Sequence, residues 1–187
     1  MTTMDLCSIL RIQARANRLA NHRLHGAMRT LAPADFHAPR TGFFPSLAET
    51  LNHILLVDLY YVGALYGEPD LRVVLDGFAP SDELAALAAR QAASDVRLVA
   101  FCDALDAAAL DREVQMPRAT YIQRDRVGHV LAHLFNHQTH HRGQAHAMLS
   151  GTAVKPPQLD EFMMPSEGHL SAHEMAALGW REDGLYR

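Results

Sequence analysis

Histidine is the residue type whose number and spacing most directly indicate chemistry in this chain. The sequence of 187 residues contains 12 histidines, and six of them fall between His129 and His146. Because an α-helix has about 3.6 residues per turn, side chains that are three or four positions apart project from nearly the same face. Five of the six fit one face of a predicted helix: His129, His133, His137, His140 and His141.

This histidine stripe has the spacing of a metal site. Two histidines one helical turn apart can coordinate one ion, because zinc takes imidazole nitrogens at roughly 2.0–2.1 Å. The flanking residues include the apolar Val130 and Leu134, and imidazoles stacked among them without a ligand would leave polar atoms unpaired. Gln138 rather than glutamate follows His137, so the His-Glu-x-x-His motif of zinc proteases and its base are absent.

His53 is the best candidate for the third ligand that a helical histidine pair lacks. It begins an apolar run, His-Ile-Leu-Leu-Val, where an unpaired imidazole would be costly. A core histidine bonded to an ordinary backbone or side-chain partner fits this position equally well, and both interpretations stay open. Glu49 lies one turn earlier and is a candidate to orient His53 from outside the site, although helix capping is its simpler role.

Four long helices are predicted to carry these residues. Apolar positions recur at helical spacing over most of the chain. Pro33 ends the first helix, and the glycines Gly67 and Gly151 stop the second and the fourth. Four helices with connections of moderate length favour an all-α four-helix bundle. The predicted helices cover residues 4–31, 46–67, 83–110 and 126–150.

Capping signals set the start of two of these helices. Ser46 and Glu49 fit the Ser-x-x-Glu capping box, in which each side chain satisfies a free backbone amide. Ser81 or Asp82 is the predicted cap of the third helix, because both residue types accept hydrogen bonds from the first turn.

The remaining segments are predicted to be irregular. Residues 33–45 form a loop rich in proline and glycine, and residues 111–124 form a loop or a short extended piece. The chain after Lys155 is a tail, with a short helix begun by the box of Ser171 and Glu174.

Composition and charge exclude several classes of protein. Hydrophobic residues make up 49% and charged residues 20%, which is ordinary for a soluble domain of this length. The net charge of −4 and the lack of any Lys or Arg run predict that the protein binds neither nucleic acid nor an anionic membrane. No apolar run approaches the roughly 20 residues of a membrane span.

Cysteine use and the amino terminus indicate the compartment. Cys7 and Cys102 are too few and too distant for a disulfide framework or a cysteine-rich zinc site. The first five residues lack the apolar core of a signal peptide. We therefore expect a cytoplasmic protein.

Four segments resemble the DinB-like family of metalloproteins, which is related to the YfiT-like proteins. The most specific of them is Asn-His-Gln-Thr-His-His-Arg-Gly-Gln at 136–144, and the others are weaker but occur in the family's order. These are Leu-Asn-His-Ile-Leu-Leu-Val-Asp at 51–58, Asn-Arg-Leu-Ala-Asn at 17–21 and Pro-Pro-Gln-Leu-Asp at 156–160. The resemblance covers about residues 5–162.

The resemblance implies a four-helix bundle, often dimeric, with one divalent metal ion on three histidines. The ligand from the second helix corresponds to His53, and the pair on the last helix corresponds to His137 and His141. His140 lies between that pair as a neighbour, and His133, one turn away, is expected to contact the ligands from outside. His129 and His146 are then structural or exposed.

The resemblance also sets the expected domain organisation. Residues 1–164 form the DinB-like bundle, and residues 165–187 form an extension packed on the same domain. This extension exceeds the family's common core, and it covers either the mouth of the site or a dimer partner.

A metal-dependent enzyme, either a thiol-dependent S-transferase or a hydrolase, is the first functional hypothesis. Three neutral nitrogen ligands leave a position open for water or substrate, and a metal there activates water or a thiol. Glu49, Asp58 and His140 are the candidate bases, and none of them is convincing. Imidazole suits several metals, with zinc expected first and nickel second, and a low-molecular-weight thiol is a candidate second cofactor.

Two other interpretations remain. A metal-binding stress-response protein without enzymatic activity would fill the fourth coordination position with a protein ligand. Alternatively, the histidine stripe packs a dimer interface, and His53 then lies away from His137.

Overall fold

Seven α-helices and a two-stranded sheet form the part of the chain that this computed structural model describes, residues 4–160 and 164–180. The helices are α1 (Leu6–Ala27), α2 (Pro33–His37), α3 (Leu47–Tyr66), α4 (Leu71–Asp76), α5 (Leu84–Asp103), α6 (Val127–Leu149) and α7 (Ala172–Ala177). The strands are β1 (Glu113–Pro117) and β2 (Ile122–Arg126), and 3₁₀ turns occupy Met28–Thr30, Ala109–Asp111 and Pro165–Ser171. The prediction of a helical bundle with an irregular C-terminal region is confirmed.

The four long helices pack as a ring. The α1 helix contacts α5 and α6, and α3 also contacts α5 and α6, so that the pairs α1–α5 and α3–α6 lie on opposite sides. Two apolar clusters fill the interior, and they include the fully buried Leu131 and Leu55 respectively. Burying such side chains contributes roughly 1.5–3 kcal/mol each, which is enough to hold the helices in register.

Local sequence explains the ends of α3. The Ser46 hydroxyl accepts the backbone amide of Glu49 at 3.1 Å, which is one half of the predicted capping box. No described hydrogen bond joins the Glu49 side chain to the Ser46 amide, so the reciprocal half is absent among the described contacts. Gly67 adopts a left-handed conformation (φ 69°) after the last turn, and its amide bonds to the carbonyls of Ala64 and Gly63. Both boundaries of the helix that carries His53 are therefore encoded within a few residues.

The third long helix differs from its prediction at both ends. It begins after Glu83, because Ser81 is tied to α3 instead: its amide donates to Asn52 Oδ1 at 2.7 Å. It ends at Asp103 rather than near 110, and Asp106 Oδ1 then accepts the amide of Ala109 at 2.7 Å, which starts a separate turn.

Segments predicted as irregular contain short elements. The 33–45 loop begins with α2, and α4 lies between α3 and α5. The 111–124 segment contributes a hairpin in which Glu113 pairs with Arg126 and Pro117 with Ile122. The buried Val114 side chain packs this hairpin on the core, which short-range sequence does not reveal.

The C-terminal helix α7 forms without the predicted capping box. Ser171 precedes it, but the Ser171 hydroxyl donates to the carbonyl of Gly168 at 3.3 Å. Glu174 accepts a hydrogen bond from Arg23 Nε at 3.0 Å, which attaches this region to α1. Glu174 therefore pairs with a distant arginine instead of capping its own helix.

Candidate metal centre

Two packed helices bring three histidines together. His53 lies on α3, and His137 and His141 lie one turn apart on α6. One nitrogen from each ring lies within 4.8 Å of the others, and the Nε2 atoms of His53 and His137 are 3.0 Å apart. The ring centroids are separated by 4.5–5.0 Å. The interpretation that the histidine stripe packs a dimer interface, with His53 far from His137, is therefore wrong.

The protonation state of these histidines suits a metal. Burial, with His141 beside it, lowers the pKa of His53 to about 4. Burial and the neighbouring histidines lower the pKa of His137 to about 3, and burial lowers that of His141. Metal ions bind neutral imidazole, so the site presents its donors in the required form near pH 7.

The distance between His53 and His137 is close to that of two ligands on a tetrahedral ion. Two nitrogens on tetrahedral zinc are roughly 3.3 Å apart, close to the observed separation between His53 and His137. The buried Nδ1 of His137 has no hydrogen-bond partner in the described part of the chain. This nitrogen is not the one that faces His53, so the case for a cation rests on the three convergent neutral rings.

Gln144 fixes the orientation of His141. Its Oε1 lies 2.8 Å from His141 Nδ1, which makes Nδ1 the protonated nitrogen and leaves Nε2 available to the cluster. Its Nε2 lies 3.2 Å from His140 Nε2. No role at the site was expected for Gln144, although its i+3 spacing from His141 places the two side chains on the same helix face.

Two phenylalanines flank the histidines. The Phe44 ring centroid lies 4.5 Å from that of His53 and 5.7 Å from that of His141. The Phe43 ring lies 6.1 Å from His141 and is 74% exposed. Both come from the connection between α2 and α3, and nothing in their sequence pattern indicated a position beside α6.

The residues expected to support the ligands occupy different places. Glu49 is exposed in the first turn of α3, and no described hydrogen bond joins it to His53. The His133 ring lies 6.3 Å from His137 and 5.2 Å from Tyr61. The His140 ring lies 4.8 Å from His141 and is exposed.

The outer histidines of the stripe stand apart from the cluster. His129 is exposed, with Nδ1 4.0 Å from Asp125. His146 Nε2 lies 2.9 Å from the carbonyl oxygen of Pro157, where the ring can donate a hydrogen bond. These positions match the expectation that both are exposed or structural.

Asp58, one of the candidate bases, belongs to a buried polar network rather than to the cluster. It is 1% exposed and accepts hydrogen bonds from Gln91 at 2.6 Å and Gln138 at 2.9 Å. Burial and the neighbouring Asp95 raise its pKa to about 7. Other buried members of the network are Asn17, Asn21, Asp95 and Arg142.

The structure thus defines a helical-bundle protein with a three-histidine cluster between two neighbouring helices. The model of the DinB family matches residues 11–172, and the chain therefore belongs to this family. It is similar to "Protein DinB" of Bacillus subtilis (strain 168), with 24% identity over 151 residues that cover 75% of this chain and 85% of the relative. Within the described ranges, every helix is too short or too polar to cross a bilayer.

Proposed function

We propose that His53, His137 and His141 bind one divalent metal ion. The observation that carries this proposal is the convergence of one nitrogen from each of the three rings within 4.8 Å. The lowered pKa values of His53 and His137 support it, because both rings are neutral donors at physiological pH. Gln144 supports it by orienting the Nε2 of His141 toward the other two rings.

Zinc is the metal we propose first and nickel second, because imidazole suits both and zinc is the more available. A bound divalent metal would supply Lewis-acid activation of a water molecule or a thiol. In the described ranges, the group of potential ligands contains three histidines and no fourth residue. A coordination position left open in this way favours an enzyme over a purely structural site.

We infer that the protein is a metal-dependent enzyme, either a low-molecular-weight thiol S-transferase or a hydrolase. Phe44 gives the site an apolar wall, with the exposed Phe43 ring at its edge, and this wall would help to exclude bulk water from a small substrate. His140 is a candidate to accept a proton at the edge of the site, because its ring is exposed beside His141.

A metal-binding stress-response protein without enzymatic activity is the alternative. The observation that favours it is the position of the candidate carboxylate bases. Asp58 is buried in the polar network, and Glu49 is exposed at the start of α3. Neither carboxylate belongs to the three-histidine group among the described residues.

Metal content tests the site directly. We expect untagged wild-type protein to carry about one equivalent of zinc or nickel per chain by inductively coupled plasma mass spectrometry, and His137→Ala to carry little. His129→Ala is the matched control, because it removes an exposed histidine from the same helix outside the cluster. Wild-type protein that neither contains zinc or nickel nor takes them up would overturn the proposal.

Activity assays separate the two functions once the metal is established. Metal-loaded protein that transfers a thiol to an electrophile, or hydrolyses ester or amide substrates, and loses this activity in His137→Ala would support the enzyme. Stoichiometric metal with no turnover in both screens would support the non-enzymatic alternative. We also propose that the protein is a cytoplasmic homodimer, which light scattering tests. The proposed division into a bundle of 1–164 and an extension of 165–187 lies partly outside the described residues, which end at 180.

A further inference from the structure

A cavity lies between α1 and α5, away from the histidine cluster, which lies between α3 and α6. Its volume is about 590 Å³, within the roughly 300–1,000 Å³ typical of small-molecule sites. It is lined by α1, by the start and middle of α5, by the α2 region and by Leu178. None of the three clustered histidines lines it, so the proposed metal site does not account for this cavity.

The α1 wall of the cavity carries basic and unsatisfied groups. His25 is 8% exposed, and its buried Nδ1 has no hydrogen-bond partner among the described residues. The buried Nε of Arg18 also has none, and the Arg18 guanidinium lies 5.1 Å from the Trp180 ring centroid. Leaving such buried polar atoms unpaired is unfavourable, and a bound ligand that forms hydrogen bonds with them would remove that cost.

The opposite wall is apolar and built from small side chains. Ala85, Ala88, Ala89 and Ala92 of α5 line it, and their small size leaves room between the two helices. Phe36 of α2 contributes a buried aromatic ring to the lining. A ligand that fills this space therefore needs an apolar body together with a polar group that faces α1.

The charges around the cavity favour an anionic group at the α1 wall. Arg18 of α1 and Arg29 of the 3₁₀ turn that follows it line the cavity. Asp82 and Glu83 lie at the α5 end, where an acidic side chain before the first turn interacts favourably with the helix dipole. The buried Asp95 also lines the cavity and attracts Arg18, but its carboxylate accepts hydrogen bonds from Asn17, Asn21 and Gln91. No described salt bridge joins Asp95 to Arg18, so the guanidinium can still bind an acid group.

We propose that this cavity binds a small amphipathic carboxylate, with its acid group on Arg18 and His25 and its apolar body along the alanine wall of α5. The guanidinium supplies a charge-assisted hydrogen bond, and the imidazole of His25 supplies a second donor. Trp180 stacks on the guanidinium and holds its plane in position.

Calorimetric titration of octanoate and 4-phenylbutyrate, beside their neutral amides, tests the chemistry of the ligand. We expect both carboxylates to bind at one site, and the amides to bind at least tenfold more weakly. Arg18→Met should weaken carboxylate binding roughly tenfold, because it removes one charge-assisted contact and leaves the amides nearly unaffected. No saturable binding of either carboxylate up to millimolar concentration, or equal binding of acid and amide, would overturn the proposal.

A cavity-filling pair of variants tests the location. Ala89→Trp places a large ring in the cavity and should abolish carboxylate binding, whereas Ala93→Trp, at an exposed position of α5 that does not line the cavity, should leave it intact. His137→Ala should retain carboxylate binding even if it loses metal, which separates this proposal from the metal site. A dimer that becomes monomeric only in Ala89→Trp would identify an interface between copies and overturn the small-molecule site.

Discussion

At the scale of single residues, the cluster depends on which nitrogen of each imidazole is available. His141 can direct Nε2 at a metal only while Nδ1 keeps its proton. Nδ1 donates a hydrogen bond to the side-chain Oε1 of Gln144, 2.8 Å away, which keeps the proton there. Groups that orient a metal-binding histidine commonly affect metal affinity by 10–100-fold. Gln144 is therefore as much a part of the proposed site as a residue that touches the ion.

Gln144→Ala should weaken zinc binding by roughly 10–100-fold while keeping a stoichiometry of one ion per chain at saturating metal. The physical reason is that His141 then loses the bond that selects its tautomer and ring orientation. Competition with a chromogenic zinc chelator measures the affinity. Thr139→Ala, an exposed change on the same helix, is the control, and equal affinity in wild type and Gln144→Ala would contradict the role of this glutamine.

The buried carboxylate of Asp58 makes stability depend on pH. Burial and Asp95 raise its pKa from 3.8 to about 7. Between these values the native state keeps a proton that the unfolded chain has released, so the Asp58 contribution to stability falls as pH rises from about 4 to 7. The lowered pKa values of buried histidines act in the opposite direction, because these rings must stay neutral in the fold.

Asp58→Asn isolates the carboxylate from the histidines. Its free energy of unfolding, relative to wild type at the same pH, should increase steadily from about pH 4 to pH 7. Urea denaturation followed by circular dichroism measures the difference, and the histidine contributions cancel because both proteins contain them. Asp70→Asn at an exposed position is the control. A difference that is constant with pH would show that Asp58 is not protonated in the native state.

At the scale of elements, α3 and α6 are the rigid supports of the site, and their glycines have different physical roles. Gly67 ends α3 in a left-handed conformation with open space around its Cα. Gly143 lies inside α6 on an exposed face, where an added methyl group would touch nothing within 4 Å. The same substitution should therefore have opposite effects at the two positions.

Gly67→Ala should destabilise the protein by roughly 1–2 kcal/mol, because in the left-handed region the alanine Cβ lies too close to the following carbonyl oxygen. Gly143→Ala should stabilise it by roughly 0.5–1 kcal/mol, because alanine loses less backbone freedom in a helix interior. Equilibrium denaturation in guanidinium chloride measures both. Effects of the same sign at the two positions would contradict this account of how α3 ends.

At the scale of the whole molecule, the proposed ion joins parts of the chain that are distant in sequence. His53 and His137 are separated by 84 positions, and the unfolded chain cannot hold them together. A ligand that binds only the folded state stabilises it by about 2.7 kcal/mol at a concentration 100 times its dissociation constant. Metal binding and folding are therefore expected to be linked.

Removal of the metal should lower the melting temperature of wild-type protein by roughly 5–10 °C, since each kcal/mol corresponds to about 2–4 °C at this chain length. Differential scanning calorimetry with and without a chelator measures the change. His137→Ala should melt at the same temperature in both conditions. If neither the chelator nor added zinc changes the melting temperature of the wild-type protein, metal binding and folding are not linked.

Three features depend on neighbours three or four positions away and can therefore be predicted without the structure. They are the long helices, the spacing of His137 and His141, and the cap at Ser46. The DinB-like segment at 136–144 likewise predicted the family without the structure. Periodicity could not show that Asp106 starts a separate turn after α5, because an alanine-rich segment stays compatible with helix until a competing side-chain bond is known.

Contacts between groups that are distant in sequence became known from the packing of the helices. The approach of His53 to α6, the wall formed by Phe43 and Phe44 and the cavity beside Arg18 all result from packing between helices far apart in the chain. The burial of Asp58 likewise depends on where α5 and α6 lie against α3. Long-range packing is set by the sum of many apolar contacts, which no short sequence window contains, and so the sequence supplied the ligand types while the fold supplied their convergence.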